Sequence, residues 1–241
     1  MYLNSGVFTP FSNRFRALSR HSVRRIATPL TRALMAVLLG FAAAFSMADT
    51  STEDKVLLVL GDSLSAGYGI DIDQGWVSLL QKRLRQENYD YQVVNASISG
   101  ETTGGGLSRL PQALSRWSPD IVIVELGGND GLRGIAPKII ANNLKRMIEH
   151  NEQAGARSLL LGMQIPPNYG PRYTRQFHQN YRDIAETCDI PLVPFFLDGV
   201  ATDPDKMQAD GIHPKANAQP QMLEHVWETL QPMLEVMARA K

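Results

Sequence analysis

Three residues of this sequence have the chemistry of an activated nucleophile: Ser63, His213 and, three positions before the histidine, Asp210. A serine hydroxyl attacks a carbonyl carbon when a base removes its proton, and an imidazole can take up that proton near neutral pH and later return it. A nearby carboxylate can hold the imidazole ring through Nδ1–H and stabilise the imidazolium. Taken singly, Ser63 fits a helix N-cap equally well, and His213 fits a helix entry beside Pro214.

Acyl transfer also needs hydrogen-bond donors for the negatively charged oxygen of a tetrahedral intermediate. The candidate donors are the backbone N–H of Ser63, the backbone N–H of Gly100 and the side-chain amide of Asn129. Asn129 could also serve only as a turn residue in its Gly-Gly-Asn-Asp loop. A phosphate-binding loop is excluded at Ser63, because neither G-x-x-x-x-G-K-[ST] nor a complete G-x-G-x-x-G is present there.

The elements that would position these residues alternate along the chain. Short apolar runs predict five buried strands, at 55–60, 91–96, 120–126, 158–163 and 191–196. Helical spacing of apolar residues predicts helices between and after them, at 75–86, 105–117, 136–155, 172–188 and 219–238. Strands that are apolar throughout and separated by helices indicate parallel pairing. We therefore predict an α/β fold, a three-layer, doubly wound, flavodoxin-like sandwich around a five-stranded parallel sheet.

Ligands of such sheets bind at the carboxyl ends of the strands. Ser63 follows the first predicted strand, Gly100 the second and Asn129 the third, while Asp210 and His213 come between the fifth strand and the last helix. The fold would therefore bring the serine, its base and the donors to one edge of the sheet.

The first 48 residues differ in composition from the rest of the chain. They contain six arginines and no acidic residue, followed by the apolar run 33–45 and by small residues at Ser46 and Ala48. This pattern is typical of a secretory signal peptide cleaved after Ala48 and predicts a periplasmic or secreted protein with one domain at 49–241. The apolar run of 13 residues is too short to cross a membrane as a helix, so no stable membrane anchor is expected after cleavage.

Composition also limits the partners. Without its leader the chain holds 18 basic and 24 acidic residues, which argues against binding to nucleic acid. The acidic stretch 203–211 lacks the ligand spacing of a calcium loop, and no zinc pattern is present. We therefore expect neither a metal nor another cofactor.

Four short blocks in this order resemble the SGNH (GDSL) hydrolase family: "GDSL" at 61–64, the region of Gly100, "GGND" at 127–130 and "DGIHP" at 210–214. The resemblance covers residues 54–235 and is closest to the bacterial periplasmic thioesterase, lysophospholipase and arylesterase branch. It implies the SGNH hydrolase fold. It also implies that Ser63 is the nucleophile, His213 the base and Asp210 the third member of a triad. The same likeness assigns the oxyanion hole to Ser63, Gly100 and Asn129.

The resemblance further implies a monomer that hydrolyses small acyl esters, thioesters or lysophospholipids. It places Ile165, Pro166 and Pro167 in the loop that lines an acyl pocket, although these residues also suit a rigid connector. The sequence leaves two other functions open. One is an O-acetylesterase of the same superfamily acting on carbohydrate or the cell envelope, and the other is a non-catalytic, flavodoxin-like binding domain.

Overall fold

The computed structural model describes residues 55–239, so the predicted signal peptide lies outside the described residues. Five strands form one sheet: β1 (Lys55–Gly61), β2 (Tyr91–Asn95), β3 (Ile121–Glu125), β4 (Arg157–Leu161) and β5 (Leu192–Val193). The α-helices are α1 (Ser63–Ala66), α2 (Trp76–Gln86), α3 (Thr103–Trp117), α4 (Gly128–Leu132), α5 (Pro137–Gln153), α6 (Pro171–Cys188) and α7 (Gln219–Arg239).

All strand pairs are parallel, and the order across the sheet is β2-β1-β3-β4-β5. The chain runs from β1 outward to β2 and then returns to the other side of β1 as β3, so the direction of winding reverses between β1 and β3. Helices α2 and α7 pack together on one face of the sheet, whereas α3, α5 and α6 pack side by side on the other. The predicted α/β, doubly wound, three-layer fold is confirmed. Its topological switch point lies between β1 and β3, where ligands of such sheets bind.

The core lies along the two central strands. Residues 57–60 of β1 and 121–124 of β3 are fully buried, because helices cover both faces of the sheet there. This double burial explains why residues 57–60 and 121–124 are apolar at every position rather than at alternate ones.

Two features differ from the expectations. Strand β5 is limited to two residues, since Pro191 and Pro194 flank it and a proline nitrogen has no hydrogen to donate to a neighbouring strand. The short helices α1 and α4 were not predicted as separate elements. Each begins within three residues of the end of a central strand and carries one of the candidate site residues, Ser63 or Asn129.

Replacement of Ile123 by alanine would test how much the central strand contributes to stability. Ile123 is fully buried, and removal of three methyl or methylene groups there leaves a cavity, so we expect the free energy of unfolding to fall by about 2–5 kcal/mol. Ile139→Ala is the matched control, because that isoleucine is exposed on α5 and its loss should change stability by no more than about 0.5 kcal/mol. Urea denaturation followed by circular dichroism measures both variants, and equal losses would contradict this account of the core.

Candidate active site

The turn that carries Ser63 begins where β1 ends. Asp62 is the N-cap of α1, and its Oδ1 accepts a hydrogen bond of 3.0 Å from the backbone N–H of Leu64. Ser63 is the first residue of this helix, so its own N–H has no partner within the helix. Among the described residues it donates to no other group either. The turn therefore presents both a hydroxyl and a free N–H at the carboxyl edge of the sheet.

A carboxyl group from the neighbouring strand supports this turn from below. Glu125, the last residue of β3, is fully buried, and its Oε2 accepts hydrogen bonds from the backbone N–H of Asp62 (3.2 Å) and the hydroxyl of Ser65 (2.7 Å). The indole of Trp76 in turn donates to Ser65 Oγ at 3.2 Å. A Cβ on Gly61 would lie 2.8 Å from Glu125 Oε2, so only glycine allows this approach.

The imidazole of His213 lies against the hydroxyl of Ser63. Its Nε2 is 2.9 Å from Ser63 Oγ, and its Nδ1 is 2.6 Å from Asp210 Oδ2, although the serine and histidine are 150 residues apart. A neutral imidazole with its proton on Nδ1 donates to the carboxylate and accepts from the serine, which satisfies both contacts. The other oxygen of Asp210 accepts the backbone N–H groups of Ile212 and His213, so the loop itself fixes the orientation of the carboxylate.

The candidate oxyanion donors are tied to the same turn. Asn129 in α4 donates from Nδ2 to Asp62 Oδ2 at 2.9 Å, which leaves its second N–H free for another acceptor. The loop of Gly100 is held beside β1 by a hydrogen bond of 3.1 Å from the N–H of Ile98 to the carbonyl of Gly61. Gly100 has φ +79°, a backbone conformation that favours glycine. The structure thus brings the three predicted donor residues to adjoining strand ends.

A buried aspartate links these two donor loops. Asp130 accepts the backbone N–H of Thr103 at 2.8 Å and also the Thr103 hydroxyl, which joins the start of α3 to α4. Asn143 of α5 donates to the same hydroxyl. The positions of Gly100 and Asn129 therefore depend on one another through the beginning of α3.

Two further residues beside His213 were not identified from the sequence. The ring of Tyr68 packs against the imidazole with 4.4 Å between ring centroids. Gln208 donates from its amide to the carbonyl of Tyr68 and from its backbone N–H to the carbonyl of His213, each at 2.8 Å. No local pattern marks these residues, because Gln208 lies 140 residues from Tyr68 in the sequence.

Comparison with known proteins places this arrangement in a family. A model of the GDSL-like Lipase/Acylhydrolase family matches residues 59–219, which include every residue of the site described above. The chain belongs to this family. It is accordingly an enzyme, a hydrolase of esters.

Two curated relatives cover most of the chain. Esterase TesA of Pseudomonas aeruginosa is 53% identical over 201 residues, which span 83% of this chain and 100% of that protein. Thioesterase 1/protease 1/lysophospholipase L1 of Escherichia coli K12 is 44% identical, over 83% of this chain and 91% of that protein. Among solved structures, the psychrotrophic esterase EstA from Pseudoalteromonas sp., inhibited by monoethylphosphonate, matches with a TM-score of 0.72 and 41% identity, covering 76% of this chain and 100% of EstA.

Charge is distributed unevenly around the site of this GDSL-family hydrolase. Burial raises the pKa of Asp62 to about 6, against the opposing effect of its hydrogen bonds from Leu64 and Asn129. Burial also raises the pKa of Glu125 well above its ordinary value, and the nearby carboxylate of Asp62 raises it further. By contrast, the hydrogen bonds that Asp210 accepts from the backbone and then the ring of His213 lower its pKa to about 2. The acid beside the imidazole is therefore ionised at neutral pH, and Asp62 is mostly ionised there as well, whereas the fully buried Glu125 tends to keep its proton.

The predicted pocket residues lie after β4. Ile165 is buried, and a Cβ on Gly131 of α4 would clash with it and with Phe177, so this side chain packs tightly beneath α4. Pro166 and Pro167 are exposed at the same edge. Within residues 55–239 no cluster of three or more metal-ligating side chains occurs, and no helix is long and apolar enough to cross a membrane.

The shifted pKa of Glu125 predicts how stability depends on pH. An acid with a higher pKa in the folded chain holds its proton there while the unfolded chain releases it, so stability falls as the pH rises above about 4.5. Glu125→Gln keeps the shape and cannot ionise. The free energy of unfolding of this variant minus that of the wild type should therefore be more positive at pH 8 than at pH 4.

Urea titrations of both proteins at pH 4 and pH 8 measure this difference. Any destabilisation by the glutamine side chain that does not depend on pH is the same at both pH values and therefore does not affect the comparison. Glu149→Gln, which removes an exposed carboxylate from α5, is the matched control and should show no such increase. A difference between Glu125→Gln and wild type that is independent of pH would contradict the assignment of a protonated Glu125.

Proposed function

We propose that this enzyme hydrolyses carboxylic esters and acyl thioesters through an acyl-enzyme on Ser63, with His213 as general base and acid and Asp210 as the orienting carboxylate. The observation that carries the proposal is the chain of contacts from Ser63 Oγ to His213 Nε2 (2.9 Å) and from His213 Nδ1 to Asp210 Oδ2 (2.6 Å). Nucleophile, base and orienting group within hydrogen-bond reach are the geometric signature of an activated serine.

The first half of the reaction acylates the serine. His213 Nε2 takes the hydroxyl proton as Ser63 Oγ forms a bond to the acyl carbon, and the carbonyl electron pair moves onto the oxygen. When the carbonyl re-forms, the bond to the leaving group breaks, and the imidazolium gives its proton to the departing alcohol or thiol. In the second half, water loses a proton to the same imidazole and attacks the acyl carbon, which releases the carboxylic acid and restores Ser63.

The oxyanion of both intermediates would be bound by the N–H groups of Ser63 and Gly100 and by the free amide hydrogen of Asn129. Support comes from the unpartnered N–H of Ser63 and from the fixed orientation of the Asn129 amide on Asp62. Donors that are fixed before the reaction stabilise developing charge without reorganisation. The pKa of about 2 for Asp210 keeps a negative charge beside the imidazolium at neutral pH.

The substrates that we propose are small acyl esters, thioesters and lysophospholipids. The relatives at 53% and 44% identity are named as an esterase and as a thioesterase and lysophospholipase, which favours this range over an acetyl-specific enzyme. The loop of Ile165, Pro166 and Pro167 stands at the same edge, and we propose that it contacts the acyl chain. We also propose that residues 1–48 direct export and are removed, so that the enzyme acts in the periplasm or outside the cell.

Replacement of the nucleophile tests the mechanism directly. Ser63→Ala should lower kcat for p-nitrophenyl acyl esters by about 10⁴-fold or more, because no acyl-enzyme can form. A phosphonate ester with a good leaving group should transfer its phosphonyl group to Ser63 Oγ in the wild type, with loss of that leaving group, and should modify no residue in the variant. Ser115→Ala, which alters an exposed serine on α3, is the control and should retain activity. Substantial turnover by a folded Ser63→Ala enzyme would disprove the proposal.

Asn129→Ala tests the oxyanion donor. Loss of one such donor lowers kcat by roughly 10²–10³-fold, and KM should change little because the ground-state carbonyl is bound less tightly than the oxyanion. Asn142→Ala, on the exposed face of α5, provides the control. Measurement on matched oxyesters and thioesters of increasing acyl length also defines the substrate range. An unchanged kcat in Asn129→Ala would exclude this amide from the oxyanion hole.

A further inference from the structure

The exposed large apolar side chains of the described residues are concentrated at one end of the molecule. There are seven such side chains: Tyr68, Ile72, Ile98, Ile139, Tyr169, Ile212 and Val236. The first six lie on loops or helix starts at the carboxyl edge of the sheet. Val236, near the end of α7, is the exception. Exposed isoleucines cost free energy in water, so their grouping around the site indicates a surface that meets something apolar.

Three of the loops at this edge are joined into one surface, which we call the rim face: residues 97–102, 131–139 and 165–175. Arg133 donates to the carbonyl of Gly100 at 3.1 Å and so connects the first loop to the second. The hydroxyl of Tyr169 donates to the carbonyl of Leu132 at 2.9 Å and connects the second loop to the third. The rim face is therefore fixed in shape, and it presents Ile98, Ile139 and Tyr169 outward.

The rim face is positively charged although the enzyme is not. Residues 55–239 contain 17 basic and 21 acidic residues. The rim face has four exposed cations, and none of them forms a salt bridge within the described residues: Arg133, Lys138, Arg172 and Arg175. Its single acid, Glu101, is paired with Arg109 at 2.8 Å. A surface with isoleucine and tyrosine among unpaired cations matches the apolar and anionic character of a phospholipid interface.

The other half of the edge does not share this character. Ile72 stands between Asp71 and Asp73, and Ile212 follows the turn of Asp210. An anionic surface would repel these carboxylates, so the charge pattern restricts the contact to the rim face. The rim face includes the loop of Gly100 and adjoins the loop of Asn129, which places the site beside the contact surface.

We propose that the rim face docks the enzyme on the surface of an anionic phospholipid bilayer, with Ile98, Ile139 and Tyr169 inserted among the headgroups and the four cations facing the lipid phosphates. The benefit of such docking rests on the proposed function, because it would bring the site to acyl esters that leave or enter the bilayer. The docking itself requires no hydrolysis, and it can therefore be measured separately.

Sedimentation with vesicles of ether-linked phosphatidylglycerol and phosphatidylcholine tests the proposal, since ether lipids have no ester to hydrolyse. The protein is isolated after export, with its N-terminus read by mass spectrometry, so that wild type and variants are compared as the same species. Wild type should bind vesicles rich in phosphatidylglycerol, bind pure phosphatidylcholine weakly and be released by about 0.5 M salt, roughly three times physiological ionic strength.

Lys138→Glu combined with Arg172→Glu should weaken this binding by at least about tenfold, because each cation near an anionic surface raises the binding constant several-fold. Ile139→Ser should weaken it several-fold. The matched control is Arg146→Glu combined with Arg157→Glu, which makes the same change in net charge on exposed positions away from the rim face and should bind as wild type does.

Hydrolysis of a soluble short-chain p-nitrophenyl ester should be unchanged in Lys138→Glu/Arg172→Glu, which separates docking from catalysis. If the proposed function is wrong, the wild type will not hydrolyse this ester but can still bind the vesicles, so the two proposals fail in different ways. Three results would overturn the docking proposal: a wild type that does not bind, equal losses in the rim and control variants, or a dimer in analytical ultracentrifugation that the rim variants dissociate.

Discussion

The carboxylate of Asp62 joins the two strand ends on which the site is built. One oxygen accepts the N–H of Leu64 and shapes the turn after β1, while the other accepts the amide of Asn129 after β3. The contact with Asn129 requires β1 and β3 to be neighbours, which the reversal of winding between them ensures. The carboxylate is buried, so its hydrogen bonds must offset the cost of removing it from water. The remaining parts of the site are arranged around this bridge.

Much of the fold could be predicted from the sequence because the strands are buried on both faces. Runs such as 56–60 and 121–124 are apolar at every position, and polar residues follow each run abruptly. The fifth strand was predicted too long. Its apolar run extends over six residues, but the prolines on either side of Leu192 and Val193 limit the pairing to these two. The meeting of Ser63 with Asp210 and His213 followed from the rule that parallel strands end at one edge, and the structure places these residues in contact. Their catalytic roles stay a prediction.

The residues that the sequence did not reveal act through tertiary contacts. Glu125 closes an apolar run, and nothing in its neighbours along the chain distinguishes a buried acid under the turn from an exposed one at a strand end. Tyr68 and Gln208 meet His213 across long separations in the sequence. Two acids buried close together make the turn costly to fold, and the surrounding core must compensate for that cost. A local loss of folding stability of this kind is common where a protein holds reactive groups in place.

The acid and the base of the site occupy a single short turn. Asp210 binds the ring and the backbone of His213, and the segment is closed by backbone hydrogen bonds between Gln208 and His213 and between Lys206 and Lys215. Asp210 and His213 thus lie in one short segment of the chain, whereas Ser63 lies in the turn after β1. Any displacement of this segment would separate the serine from an intact acid–base pair. Recombination between related chains could accordingly exchange the acid and the base together, because the contacts that orient the imidazole on Asp210 lie within the segment, while the bond from Gln208 to Tyr68 holds the segment against the rest of the fold.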